Sequence, residues 1–307
     1  MDFKEQIEIF EKLDFLASQA VEGFITGLHK SPFHGFSVEF AEHRQYNQGE
    51  STKHIDWKLF ARSDKYFIKK YEEETNLRCR IIIDNSSSMH FPKIDKPDFS
   101  TPNKIYHSIF CSLALMKLFK KQRDAVGLSV FSDKLSVHTN EKTTIKHHQI
   151  LFNELKNILG DCTLKKNTSA VESLHEIADS IAPRSLVVLF SDLLDNSSES
   201  DQLMSALQHL KFNKHEVVIF HLLDKEKEID FEFENRPFKF IDMESGEEMK
   251  LSPNNLKKEY QKFKLEQIKE LKQNCAQFKI DFVDVDINKD INKVLMTYLH
   301  KRKQLGR

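Results

Sequence analysis

The sequence predicts an α/β protein: a doubly wound, mostly parallel sheet with one antiparallel edge strand, a small N-terminal helix and β accessory unit, and an inserted hairpin. Three observations predict it. From Leu77 onward, apolar runs of strand length alternate with stretches of helical period, the pattern of parallel strands joined by crossover helices. Two of those runs, 125–131 and 134–139, are separated by Ser132-Asp133, which permits a hairpin but no crossover, so one strand must be antiparallel. The run Ile81-Ile82-Ile83 stops at Asp84-Asn85-Ser86-Ser87-Ser88-Met89, gathering polar groups at a strand's carboxyl end, where open α/β sheets bind ligands.

The elements follow in order. Residues 4–29 place Ile7, Phe10, Leu13, Phe24, Ile25 and Leu28 at helical spacing and stop at Gly27-Leu28-His29-Lys30 before Ser31-Pro32. Residues 36–40 and 66–71 mix apolar and polar side chains as short strands do, and with the helix they complete an accessory unit over 1–76. The sheet domain spans 77–307. Its strands are expected at 77–84, 125–131, 185–191, 215–223 and 280–286, with the edge strand at 134–139. Its helices are expected at 103–122, 145–159, 168–182, 199–211, 255–278 and 290–302, with Ile109, Leu113, Leu115, Met116, Leu118 and Phe119 as a core face. Residues of about 228–251 break the alternation, and Glu244-Ser245-Gly246-Glu247 between two short apolar runs reads as a hairpin projecting from the domain.

Composition excludes several classes. A chain of 307 residues can bury one large core plus a small appended unit. With 46 lysines and arginines against 47 aspartates and glutamates, no global charge recruits nucleic acid or an anionic membrane. Cys79, Cys111, Cys162 and Cys275 are far apart, forming neither a zinc pair nor a disulfide framework, and fit a reducing cytoplasm. The amino terminus carries acids where a signal peptide carries bases, and no apolar run approaches about 18 residues. A cytoplasmic protein without membrane insertion is therefore expected.

The strongest chemical signal is the end of the first domain strand. Alternate side chains of an extended segment point the same way, so Asp84, Ser86 and Ser88 can face one point. One carboxylate and two hydroxyls suit a hard cation such as Mg²⁺. Asp-Asn-Ser-Ser-Ser is also a good turn and helix-cap sequence, and both readings stand. Two other segments reach the same edge: Leu186-Val187-Val188-Leu189-Phe190 runs into Ser191-Asp192, and Thr168 opens a helix after Lys165-Lys166-Asn167. Asp192 is expected at the solvent-facing edge of the sheet.

Asp84, Ser86 and Ser88, then Thr168, then Asp192 resemble the metal-ion-dependent adhesion site of von Willebrand factor A domains. The resemblance implies that Ser86, Ser88 and Thr168 touch the metal, that Asp84 and Asp192 act largely through bound water, and that a partner's carboxylate fills the open position. The cation implied is Mg²⁺, with Mn²⁺ or Ca²⁺ as substitutes. Neutral hydroxyl ligands leave the cation enough residual charge to attract an external acid.

The flanking sequence is similar to the bacterial family of domain of unknown function 58, through Arg44, Tyr46, Gly49, Lys53, Ile55-Asp56-Trp57, Ala61-Arg62, Lys69, Tyr71 and Glu74, and downstream through Asp242–Glu247 and Tyr260. It departs at Gln48, Glu50 and Lys53 and in Lys165-Lys166-Asn167 before Thr168. That resemblance implies a non-enzymatic adaptor working with a MoxR-type AAA+ ATPase in protein assembly or maturation. Arg44, Lys53, Asp56, Trp57, Arg62 and Glu74 form either a structural ion network under Trp57 or a docking surface for an acidic partner.

Two alternatives stay open: a phosphatase-like metal-dependent hydrolase using Asp84, and a metal-free scaffold. Against the hydrolase, Ser86 stands where a phosphatase motif needs a second aspartate, and no nucleophile elbow, phosphate loop or dinucleotide fingerprint occurs. His147-His148 reads as part of a solvated helix face, since neighbours on a helix diverge by about 100°. Asp281, Asp284, Asp286 and Asp290 read as surface and cap residues, and Lys301-Arg302-Lys303 with Arg307 as a solvated tail.

Overall fold

The computed structural model describes residues 3–26, 36–46, 55–75, 77–160, 170–193, 200–234, 236–242 and 246–304. Helix α1 (Phe3–Thr26) precedes an antiparallel ladder of β1 (Phe36–Gln45) and β2 (Phe67–Thr75), between which lies α2 (Trp57–Ser63). The main body continues through β3 (Arg78–Asp84), α3 (Lys104–Gln122), β4 (Ala125–Phe131), β5 (Leu135–His138), α4 (Ile145–Gly160), α5 (Ala170–Ser180), β6 (Leu186–Ser191), α6 (Ser200–Phe212) and β7 (Glu216–Leu223). The hairpin β8 (Phe238–Ile241) and β9 (Glu248–Leu251) follows, then α7 (Pro253–Gln277), β10 (Asp281–Asp286) and α8 (Ile291–Gln304). The strands and helices expected from the sequence are present among the described residues; positions 27–29, 168–169 and 199 of three expected helices lie outside them.

The central sheet has the order β10-β7-β6-β3-β4-β5, and β5 is its antiparallel member. Counted in chain order from the β5 edge, this is 3-2-1-4-5-6, the order of a doubly wound sheet. It is the mostly parallel sheet with one antiparallel edge strand expected from the sequence. The order reverses between β3 and β6, so the two loops leaving these strands diverge and open a crevice at their carboxyl ends.

Strand alternation sorts the core into two layers. Cys79, Ile81 and Ile83 of β3, with Val188 and Phe190 of β6, face the helices α1, α3, α4 and α8, whereas Ile82, Val187 and Leu189 face α5 and α6. Helix α3 is covered on every side: residues 104–116 are all buried, and Asn103 caps its start by accepting the Tyr106 N–H at 3.0 Å. Each such aliphatic or aromatic side chain contributes roughly 1.5–3 kcal/mol on full burial. Phe10, Leu13, Ala17 and Val21 join the same core, so α1 is a layer of the main body.

Near the β4–β5 edge, fully buried Arg80 pairs with Glu141 at 2.6 Å and donates to the Thr139 carbonyl oxygen at 2.6 Å. Gly127 makes room for it. A Cβ there would lie 2.8 Å from the Thr139 oxygen and 3.1 Å from the guanidinium carbon.

His147 and His148 correct the expectation of a solvated face, for both are buried. His147 heads the inward stripe Leu151, Leu155 and Ile158, and its Nε2 meets the Val126 carbonyl oxygen at 2.9 Å. The acidic residues around β10 do serve as caps and surface groups: Asp286 accepts the Asn288 N–H, Asp290 the Asn292 N–H, and exposed Asp284 pairs with Lys272. The inserted hairpin turns through Gly246 at φ +73°. A cluster of Phe231, Phe233, Phe238, Phe240 and Tyr260 ties it to α7. Among the described residues, no helix is long and apolar enough to cross a membrane.

Candidate functional site

Asp84 ends β3 beside the reversal point of the sheet, where β6 delivers Ser191 and Asp192. Its Oδ1 accepts the Ser86 N–H at 2.9 Å and its Oδ2 accepts the Ser191 hydroxyl at 2.7 Å. Ser86 is extended (φ −64°, ψ 164°) before the 3₁₀ turn Ser87–His90, and its Oγ lies 3.1 Å from the Ser88 Oγ. Neighbouring ligands of an octahedral ion with bonds of about 2.1 Å are about 3 Å apart. The two hydroxyls share a hydrogen bond whose length also suits neighbouring ligands of such an ion, and Asp84 closes the turn before them.

Asp192 departs from expectation. It is 3 % exposed instead of solvent-facing, because Lys104 and Glu228 close over it. The Lys104 Nζ, wholly buried at the first position of α3, donates to Asp192 Oδ2 at 2.8 Å and to Glu228 Oε1 at 2.6 Å. Glu228 is delivered by a π turn over Lys225–Ile229, capped by Asp224, and its Oε2 accepts the Asp224 N–H at 2.7 Å. Such turns are rare and concentrate at functional sites. Behind Asp192, the His221 Nε2 donates to the Asp192 carbonyl oxygen at 3.0 Å.

The electrostatics follow from burial. The Asp84 carboxyl is pushed up to about 7, first by burial and then by the Asp192 charge, with the Ser191 and Ser86 hydrogen bonds acting in the opposite sense. Burial alone would lower the Lys104 ammonium, but Asp192 and Glu228 outweigh it and raise it. Burial raises Glu228 despite Lys104, and pushes His221 down to about 4, leaving it neutral. Lys264 stands near Glu228 and Asp192 as a second cation, so the charge left over is that of the Asp84 carboxyl, which burial keeps partly protonated near neutral pH. Hard oxygen donors and their spacing fit the implied Mg²⁺.

The structure thus brings together Asp84, Ser86, Ser88 and Asp192, while Thr168 and Lys53 lie outside the described residues. Asp56 caps α2, accepting the N–H groups of Lys58 and Leu59 at 3.0 and 3.1 Å. Trp57 is 59 % exposed and Arg62 is exposed, which corrects the picture of a network under a buried tryptophan. The reason is local: α2 has seven residues and buries none of them. Arg44 and Glu74 lie opposite Ile68 and Ser37 in the β1–β2 ladder.

Lys104, Ser191, Glu228 and His221 were not foreseen. Strand parity could have found Ser191, which follows Val187 and Leu189 onto the face of Ile82 and Asp84. Lys104 also carried a signal, a cation at the positive end of an apolar helix dipole, which calls for a carboxylate nearby.

Fold and site together define a doubly wound α/β protein with an acidic, hydroxyl-lined crevice at its reversal point. The family model described as "Protein of unknown function DUF58" matches residues 42–270, and the chain belongs to that family. No curated protein matches it. Among solved structures, it is similar to the conserved hypothetical protein BatB from Bacteroides thetaiotaomicron (15 % identity, TM-score 0.46, covering 75 % of this chain and 100 % of that one). An aerotolerance-related membrane protein from Bacteroides fragilis matches at 13 % identity and TM-score 0.40 over 75 % of this chain and 100 % of its own. A von Willebrand factor type A protein from Catenulispora acidiphila matches at 12 % and 0.40, over 76 % of this chain and 43 % of its own.

Proposed function

We propose that the chain is a metal-dependent protein-binding adaptor whose site is formed by Asp84, Ser86, Ser88, Thr168 and Asp192. The observation that carries this reading is a pair of hydroxyls 3.1 Å apart at the end of β3, beside the buried carboxyls of Asp84 and Asp192. Ser86, Ser88 and Thr168 are the direct ligands. Asp84 and Asp192 supply charge, and each already accepts a bond from the protein, from Ser191 and Lys104, as suits carboxylates that act through water. A bound Mg²⁺, Mn²⁺ or Ca²⁺ supplies an open coordination position for an external carboxylate. Lys104 holds Asp192 in place and keeps the cluster compact.

The partner is accordingly a protein segment presenting Asp or Glu, and family resemblance makes a MoxR-type AAA+ ATPase in the cytoplasm the first candidate. Exposed Trp57 and Arg62 offer a second contact surface. Binding is favoured over hydrolysis because both Asp84 oxygens are engaged by Ser86 and Ser191, and because Ser86 occupies the place of a phosphatase's second aspartate.

The test is a pull-down of the candidate ATPase by the wild type and Ser86→Ala, in Mg²⁺ and in chelator. Capture that needs both Mg²⁺ and Ser86 supports the adaptor. Capture indifferent to both would make the chain a metal-free scaffold. A phosphatase screen in Mg²⁺ covers the hydrolase: turnover lost in Asp84→Asn would replace the adaptor reading.

A further inference from the structure

We infer that α5 and α6 carry a second metal site, built from His175 and His209 and suited to a d-block dication such as Zn²⁺ or Cu²⁺. The Nδ1 atoms of the two imidazoles face each other at 2.9 Å, with ring centroids 5.1 Å apart and the planes tilted by 44°. On its far side, the His209 Nε2 lies 3.2 Å from Asp179 Oδ1, one helical turn beyond His175 on α5.

In the pair, one Nδ1 carries the hydrogen and the other accepts it, while the Asp179 carboxylate lies 3.2 Å from the far nitrogen of His209. A metal replacing that proton meets two imidazole nitrogens, one of them already oriented by a carboxylate on its other nitrogen, as metal-binding histidines commonly are. Tetrahedral Zn–N bonds of 2.0–2.1 Å place two nitrogens about 3.3 Å apart, so the hydrogen-bonded pair must open by a few tenths of an ångström and the two rings must turn until both lone pairs aim at the metal.

Imidazole selects zinc, copper or nickel over magnesium, which separates this site chemically from the hydroxyl-lined crevice. His209 is 30 % exposed and Asp179 73 %, so water or an external donor can complete the coordination. No group of three or more His, Cys, Asp or Glu residues shares a point among the described residues, and the protein donors of this site are the two imidazoles. Bound metal would cross-link α5 to α6.

The test is calorimetric titration of the chelator-treated full chain with ZnCl₂, alongside electron paramagnetic resonance of the Cu²⁺ form. One equivalent of Zn²⁺ is expected in the wild type and in Ser86→Ala, lost in His175→Ala and His209→Gln, and weakened about 10–100-fold in Asp179→Asn. The Cu²⁺ spectrum should show hyperfine coupling to two imidazole nitrogens. Equal Zn²⁺ affinity in the wild type and in a His209→Gln variant with an unchanged circular dichroism spectrum would overturn the proposal. So would binding that disappears in Ser86→Ala.

Discussion

Replacing Lys104 by methionine probes the balance on which the site depends. The substitution keeps an unbranched side chain inside α3 but removes the ammonium that bonds Asp192 at 2.8 Å and Glu228 at 2.6 Å. Asp192 is 3 % exposed and the Lys104 side chain is wholly buried, so water cannot replace the lost partner. Breaking a buried pair by removing one member costs about 3–5 kcal/mol. For a chain of this size that lowers Tm by on the order of 10 °C. Urea unfolding in chelator should be followed by circular dichroism, because the single tryptophan, Trp57, is 59 % exposed and reports poorly on the core. The midpoint should fall without a change in slope. Adding Asp192→Asn to Lys104→Met should recover part of the loss, since the two sites share one interaction. Saturating Mg²⁺ should stabilise Lys104→Met more than the wild type, because the variant has one more uncompensated negative charge. A Lys104→Met protein as stable as the wild type in chelator would refute the reasoning.

Three further outcomes follow from the same structure. The Asp84 carboxyl, raised from 3.8 to about 7, contributes stability that is present below 3.8 and lost as pH rises through about 7. At 1.36 kcal/mol per pH unit, metal-free wild type should lose roughly 4 kcal/mol relative to Asp84→Asn between pH 4 and pH 8. Comparing the two proteins cancels the opposite trend of His107 and His221, which burial pushes down to about 4 and whose stabilising effect is lost as pH falls. A difference independent of pH would count against a crowded acidic site. Gly127→Ala should cost about 1–3 kcal/mol, because its Cβ would lie 2.8 Å from a backbone oxygen; an unchanged urea midpoint would contradict this. Ser191→Ala should weaken Mg²⁺ binding without unfolding the chain, since it frees Asp84 Oδ2 from its 2.7 Å bond; calorimetry showing unchanged affinity would remove Ser191 from the site.

What the sequence revealed and what it hid have a common physical basis. Local patterns were legible: apolar runs punctuated by turn residues marked the strands and the short Ser132-Asp133 link marked the antiparallel edge, whereas the two-residue alternation stops short of Ser88, which stands in a 3₁₀ turn that brings its hydroxyl to Ser86. Groups that meet only through the fold were not. Glu228 reaches Lys104 across 124 positions by way of a π turn, a conformation without a sequence period of its own. Lys104 covers Asp192 from 88 positions away, so the burial of Asp192 was missed. His147-His148 looked polar in sequence, yet His147 lies in register with Leu151 and Leu155 and is buried with them.

The central claim, that a divalent cation completes the crevice, is tested most directly by thermal unfolding of chelator-treated wild type and a Ser86→Ala/Thr168→Ala double variant, each with and without Mg²⁺ or Mn²⁺. At about 100 times the dissociation constant, binding to the native state stabilises by about 2.7 kcal/mol, a rise of several degrees in Tm. The account predicts that rise in the wild type and none in the double variant. An equal rise in both, or none in either, would contradict it.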